Sequence, residues 1–263
     1  MAIFTTLYSG SSGNCALVRD GDTTLLVDMG CSCKRTLGAL YELGFAASDL
    51  SGILITHEHS DHVSGLMTFL KHYHVPVYGA PRTLEYLRAH DVVPDCAQLN
   101  DLTRGEPVSM GALSFRCFGT SHDSVDCLGY RFSLSTGSDI AVATDLGFVS
   151  EQVHDALRGC ALVALESNYD EERLRNGPYP YYLKNRIRSN TGHLSNTDSA
   201  NTAAQLVQEG AQRLVLMHLS KENNEPELAE TCCRSACENA GISDSDVHVH
   251  VAPRYTIGDV FEV

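Results

Sequence analysis

The sequence predicts an α/β protein of four layers, an αββα sandwich. Three observations carry that expectation. The N-terminal part breaks into short apolar runs separated by turns. The remainder alternates apolar runs with amphipathic stretches, and no segment has the composition of a linker, a repeat or a low-complexity tract. Two β-rich layers, each covered by helices, are the natural packing of such a set.

Taken in order, "IFTTLY" (3–8), "CALVR" (15–19) and "TTLLVD" (23–28) are strands joined by the turn-rich "SGSSGN" and "DGD", which makes a β-meander. Residues 33–44, "CKRTLGALYELG", carry apolar side chains at helical spacing and stop on glycine, and "GILIT" (52–56) is a buried strand. A helix is expected after Asp61, then a strand at "VPVYG" and a helix at "PRTLEYLRAH". Strands follow at "LSFRCF", "LGYRFSLS" and "DIAVATD", a helix near 150–157, and the strand "ALVALE". A basic helix opens on Pro180 as its first residue. After it come the helix "NTDSANTAAQLVQEG", the strand "RLVLMHL", a helix over 225–240, and terminal strands "VHVHV" and "YTIGDVFEV".

At 263 residues and 43% hydrophobic content, the chain is expected to form a single domain, 1–263. No apolar run reaches the roughly 20 residues of a membrane span. The start, "MAIFTTLYSG", lacks the charge and apolar length of a signal peptide. The expected location is the cytoplasm, without a membrane partner. Ten cysteines are scattered between 15 and 237. A chain of this size needs no stapling, and neither "CSC" nor "CCRSAC" has the paired spacing of a thiolate metal site, so reduced thiols are expected. The 33 acidic and 19 basic residues leave a net charge of −14, which repels polyanions at long range. A nucleic-acid role therefore requires a local basic patch, and no stable protein partner can be inferred.

The strand "GILIT" runs directly into "HEHSDH", so His57, His59, Asp61 and His62 fall within six residues at a strand end. A loop there can turn all four toward one point. Packing does not explain an apolar strand that releases only metal-binding side chains. His122 in "GTSHDS", Asp145 in "ATDLG" and His218 in "LMHLS" follow other predicted strands in the same way. One shared site is the economical reading. The remaining histidines, His72, His74, His90, His154, His248 and His250, lie in predicted helices or strands without clustered partners and are read as surface or structural residues.

On these residues the chain resembles the metallo-β-lactamase-fold superfamily, whose HxHxDH motif is followed by a distant His, Asp and His. The resemblance implies that His57, His59 and His122 hold one divalent ion, that Asp61, His62 and His218 hold a second, and that Asp145 bridges them. Imidazole and carboxylate donors without thiolate suit zinc, manganese or iron, and two such ions can hold a hydroxide and stabilise a phosphorane or tetrahedral intermediate. Flavodiiron relatives have glutamate where this chain has His59, and many true lactamases have cysteine where it has Asp145. The first difference favours hydrolysis over oxygen or nitric oxide reduction, and the second argues against antibiotic hydrolysis.

The metal motif alone does not choose among thioesters, lactones, phosphodiesters and nucleic acids. Residues 173–188, "RLRNGPYPYYLKNRIR", hold Arg173, Arg175, Lys184, Arg186 and Arg188 and no acid, a local reversal of the chain's sign. Tyr179, Tyr181 and Tyr182 interleave with these charges and are placed to stack on bases. "NTGHLSN" follows at once. Its His193 resembles the "GH" histidine of ribonuclease Z and related phosphodiesterases, which implies a general acid beside the metals, with Glu166 of "ALVALE" orienting the ring. "SGSSGN", "ESNYD", the run through "GHLSN" and "HLS" together resemble the YycJ-like (WalJ) group, related to ribonuclease J but without its β-CASP insertion. That resemblance implies a 5′-to-3′ exonuclease acting on DNA rather than RNA.

The expected activity is thus a two-metal phosphodiesterase, a nuclease, with a metal-bridging hydroxide as nucleophile, Asp61, His193 and Glu166 as catalytic groups, and Lys184, Arg186, Arg188 and Tyr182 on the substrate. Ser12 and Asn14 are candidates for phosphate contact through their glycine-rich turn, which equally serves as a plain turn. Two alternatives stay open: a hydrolase of a small thioester, lactone or cyclic phosphodiester, and an inactive metal-binding regulatory protein.

Overall fold

A computed structural model describes residues 1–243 and 245–263. The first sheet is built from β1 (Ala2–Tyr8), β2 (Cys15–Asp20), β3 (Thr23–Val27), β4 (Leu50–Leu54), β5 (Val77–Gly79) and β6 (Leu99–Asp101). The second holds β7 (Val108–Met110), β8 (Leu113–Gly119), β9 (Leu128–Ser133), β10 (Asp139–Ala143), β11 (Leu162–Glu166), β12 (Arg213–Met217) and β13 (His248–Val251). The last strand, β14 (Phe261–Glu262), returns to the first sheet beside β1. Strand orders are β14-β1-β2-β3-β4-β5-β6 and β13-β12-β11-β10-β9-β8-β7. The expected meander is the antiparallel set β1-β2-β3.

Alternation along each strand separates the layers. Phe4, Val18, Leu25 and Leu54 of the first sheet meet Phe115, Tyr130, Phe132, Ile140 and Val142 of the second in one buried cluster. Their neighbours Ile3, Leu17, Leu26 and Ile53 face outward, onto α1 (Cys33–Glu42), α3 (Leu66–Leu70) and α4 (Pro81–Ala89), which follow α1 and the short α2 (Ser60–Val63). On the second sheet, Ala141, Val163, Leu165 and Leu214 face α5 (Glu151–Leu157), α8 (Asn196–Gln208) and α9 (Pro226–Asn239), with α6 (Glu171–Asn176) and α7 (Tyr181–Ile187) between α5 and α8. Helix, sheet, sheet and helix are therefore the four layers the sequence predicts. Among the described residues no helix is long and apolar enough to cross a membrane.

Several elements differ from expectation. Strands β6 and β7 are too short and polar to stand out by pattern and exist because they pair with β5 and β8. The expected helix after Asp61 is two pieces, interrupted where Gly65 N–H donates to Met29 O instead of continuing the helix. Helix α6 was not anticipated, although Asp170 caps it by accepting from Arg173 N–H at 2.8 Å. Pro180 is the N-cap of α7, at an extended ψ of 154°, and Tyr181 is the first helical residue. The expected terminal strand over 255–263 shrinks to two residues, since only Ile3 and Phe4 offer it partners.

The sheets bring the chemistry to one rim. Strands β10, β11 and β12 are mutually parallel, and β8 runs the same way because β9 is antiparallel to both β8 and β10. Their C-terminal ends therefore open on the same edge. Asp28, Asp145 and His218, just past β3, β10 and β12, adopt left-handed backbone with φ of 64°, 57° and 59°. A non-glycine residue holds that conformation only where its surroundings impose it, and here the turn swings each side chain inward.

Candidate metal centre

Four overlapping groups of donors lie at that rim, each with ligand atoms within 4.8 Å of one another: His57, His59 and His122; His57, His62 and Asp145; Asp61, His62 and His218; and Asp145, Glu166, His193 and His218. All seven residues read as ligands from the sequence are thus in one place, together with His193 and Glu166. Individual approaches are short. His122 Nε2 lies 3.3 Å from His59 Nδ1, His62 Nε2 lies 3.3 Å from Asp145 Oδ2, and His218 Nε2 lies 3.4 Å from Asp61 Oδ2.

The nitrogens not facing this cluster are occupied. His57 Nδ1–H donates to Thr56 Oγ1 at 3.0 Å and His62 Nδ1–H to Asp28 Oδ2 at 2.7 Å. His122 Nδ1–H donates to Gly192 O at 2.9 Å, and His218 Nδ1–H to Glu166 Oε1 at 2.8 Å. Each bond holds a proton on Nδ1, so that Nε2 is the nitrogen that points into the cluster and takes an ion once it carries no proton. His57 Nε2 and Asp145 Oδ2 are buried there with no hydrogen-bond partner among the described residues. Buried acceptors facing one another are costly unless a cation sits among them. A tetrahedral ion with bonds of about 2.1 Å places its ligand atoms about 3.4 Å apart, which the approaches above match. The residues present fit divalent metal, and the mix of imidazole and carboxylate leaves zinc, manganese and iron all suitable.

The electrostatics follow from burial and pairing. Burial pushes the His57 and His122 imidazoles below their ordinary range. Burial acts the same way on His62 and His218, but the carboxylates win: Asp145, Asp28 and Asp61 raise His62 well above that range, and Asp145, Asp61 and Glu166 bring His218 to about 10. Burial would raise Asp61 and Asp145, yet the surrounding imidazoles hold both low.

His193 sits at the edge of the cluster, its ring 5.0 Å from that of His122 and 5.3 Å from that of His218. Its Nδ1–H donates to Glu166 Oε1 at 2.7 Å, the same oxygen that receives His218. Glu166 Oε2 accepts from the backbone N–H of Leu146 and Leu194, which anchors the carboxylate between the loops after β10 and α7. Burial alone would raise Glu166, but its imidazole donors lower it. The glycine before His193 is required by space: a Cβ at Gly192 would lie 2.2 Å from Ile187 O.

The structure disperses the basic segment. Arg186 forms a two-pronged pair with Asp123, and Lys184 Nζ donates to the carbonyls of Arg175 and Gly177. Arg173 pairs with Glu225 and Arg175 with Glu172. Among the described residues, neither Lys184 nor Arg188, which bonds to Asn185, pairs with a carboxylate. Tyr181 and Tyr182 are exposed, whereas Tyr179 packs with Leu174 and Ile187. Ser12 is exposed; Asn14 is buried, with Oδ1 accepting from Gly10 N–H at 2.9 Å and Nδ2 3.3 Å from Asp61 Oδ2. Asn14 therefore braces a candidate ligand from beneath and does not line an open phosphate site.

Sequence reasoning missed Asp28. Its carboxylate accepts from His62 Nδ1–H, Thr56 Oγ1–H and Thr56 N–H, and through Thr56 it also sets His57. The signal was present: an acid ending the apolar run "TTLLV", as Asp145 ends "DIAVA". Ser9, whose Oγ accepts from His218 N–H at 2.7 Å, carried no such signal.

Residues 23–219 match the family model described as the beta-lactamase superfamily domain. The chain is 34% identical over 263 residues to exodeoxyribonuclease YycJ of Bacillus anthracis, covering 99% of this chain and 93% of that protein. It is 36% identical over 228 residues to exodeoxyribonuclease WalJ of Streptococcus pneumoniae D39, covering 86% and 84% of the two. Among solved structures, the metallo-β-lactamase fold protein YhfI from Bacillus subtilis superposes with a TM-score of 0.73 at 18% identity, with both chains fully covered.

Proposed function

The chain belongs to the metallo-β-lactamase superfamily, alongside the YycJ and WalJ proteins, and from that premise we propose that it is a two-metal nuclease that cuts DNA, with His193 as general acid. It is a metal-dependent hydrolase; the choice of bond and the residue roles are our reading. We read the chain as one domain without a β-CASP insertion. His57, His59 and His122 would hold one ion, Asp61, His62 and His218 the other, with Asp145 between them. Bound there, the ions supply a nucleophile at neutral pH and offset charge on the phosphoryl oxygens.

The observation that carries the reading is the shared Glu166. One carboxylate oxygen holds both a candidate ligand, His218, and a half-buried imidazole that the two ligand sets leave unused, His193. Glu166 keeps a proton on His193 Nδ1, so that Nε2 is the nitrogen that would hand a proton to a leaving group. A phosphodiester expels an alkoxide, which needs that proton; a thioester expels a thiolate, which needs it far less.

The test is incubation with manganese or zinc and end-labelled single- and double-stranded DNA and RNA, in parallel with Asp61→Ala and His193→Ala. We expect DNA to be degraded by the unmodified protein and by neither variant at a comparable rate. Cleavage of a thioester or lactone, with every polymer left intact, overturns the proposal. One finding favours a smaller phosphodiester as the second reading: the basic segment's charges are mostly paired with acids. It predicts DNA binding with little salt dependence.

A further inference from the structure

A cavity of about 380 Å³ is walled by the loop after Asp145, by Asn190 and Leu194 of the loop that carries His193, and by one face of α8. Asn201 and Gln205 stand one turn apart on that face and are exposed, and among the described residues neither side-chain amide has a hydrogen-bond partner; nor does that of Asn190 on the loop. Phe148 is 42% exposed at the same cavity. Arg188, a cation of the basic segment that pairs with no acid among the described residues, completes the wall. An apolar ring open to water, three carboxamides and a guanidinium thus surround one hollow.

We propose that this cavity is a nucleobase subsite, receiving the base of the nucleotide on the leaving-group side of the scissile phosphate. The inference rests on the phosphodiesterase reading above and adds a substrate contact to it. The position follows from the chain: Asn190 and Leu194 flank His193 closely in sequence, so a nucleotide whose oxygen takes a proton from His193 has this hollow as its neighbour. The chemistry suits a base. Phe148 offers a stacking face that accepts any of the four, and carboxamides match the mixed donors and acceptors of base edges. Arg188 is placed for the flanking phosphate. Asp198, at the same cavity and accepting from Ser195 Oγ, disfavours a phosphate inside it but accepts from an exocyclic amine.

The experiment compares three substrates with the metal-loaded protein: an oligodeoxynucleotide, an abasic deoxyribose-phosphate oligomer of equal length, and bis(p-nitrophenyl) phosphate. Phe148→Ala and Asn201→Ala/Gln205→Ala are assayed beside the unmodified protein. We expect each variant to raise KM for the oligodeoxynucleotide roughly tenfold with little change in kcat, and to leave the other two substrates unaffected. Unchanged oligodeoxynucleotide kinetics in both variants, or an equal loss on all three substrates, overturns the subsite while the phosphodiesterase stands. If the unmodified protein cleaves the small diester but neither polymer, the subsite also fails. If it cleaves none of the three, the phosphodiesterase reading falls and takes the subsite with it.

Discussion

Asp28→Asn is the sharpest test of how the second candidate ion is held. The replacement keeps the shape of the side chain, and asparagine tolerates the left-handed backbone that Asp28 adopts at φ 64°. The change is confined to charge and acceptors. Asp28 Oδ1 accepts from Thr56 N–H, and asparagine keeps that bond with its oxygen. Its amide NH2 then faces His62 Nδ1 and Thr56 Oγ1, which lie 2.7 and 2.8 Å from Asp28 Oδ2. His62 must move its proton to Nε2, the atom aimed at Asp61 and Asp145. Loss of such a partner costs roughly 10- to 100-fold in metal affinity, about 1.4–2.7 kcal/mol. Competition with a chelator, followed by metal analysis, should show the ion held by His62 weakened by that factor and the ion held by His57, which Asp28 reaches only through Thr56, weakened less. Two ions bound as tightly as in the unmodified protein would refute the role given to Asp28.

Other expectations are as direct. His193→Ala should slow DNA cleavage roughly 100- to 10,000-fold but hydrolysis of bis(p-nitrophenyl) phosphate far less, because p-nitrophenolate leaves without a proton; equal losses on both would remove the general-acid role. Gly192→Ala drives a Cβ into Ile187 O and Arg186 O, 2.2 and 2.3 Å away, and displaces the carbonyl that holds His122. It should destabilise the fold by roughly 1–3 kcal/mol and weaken metal retention, which thermal melts and metal analysis would report; unchanged values would contradict the packing described. In the metal-free protein His62 lies well above the ordinary imidazole range and His218 is raised to about 10, so at neutral pH both hold protons that an entering ion must displace. Metal affinity should therefore rise with pH, roughly tenfold per unit for each proton released, and titration in buffers of different ionisation enthalpy should detect that release. A pH-independent affinity would show that these groups do not compete with the ion.

The layers and the candidate donors were legible in the sequence. Strand and helix periodicities are local, so the αββα order could be read from "IFTTLY" onward, and the candidate ligands stood out at strand ends by residue type and position. Strands β6 and β7 could not be read because their stability comes from a neighbour's ladder and not from their own pattern. The charge of residues 173–188 misled for a related reason. A linear window shows no acids, whereas folding brings Asp123 and Glu225 from distant parts of the chain onto Arg186 and Arg173. Which nitrogen of His57, His62, His122 and His218 faces the cluster became visible with the fold, since it is set by Thr56, Asp28, Gly192 and Glu166, which lie up to 70 residues from the rings they hold. Hydrogen bonds act through space at about 3 Å, and sequence distance carries no record of them.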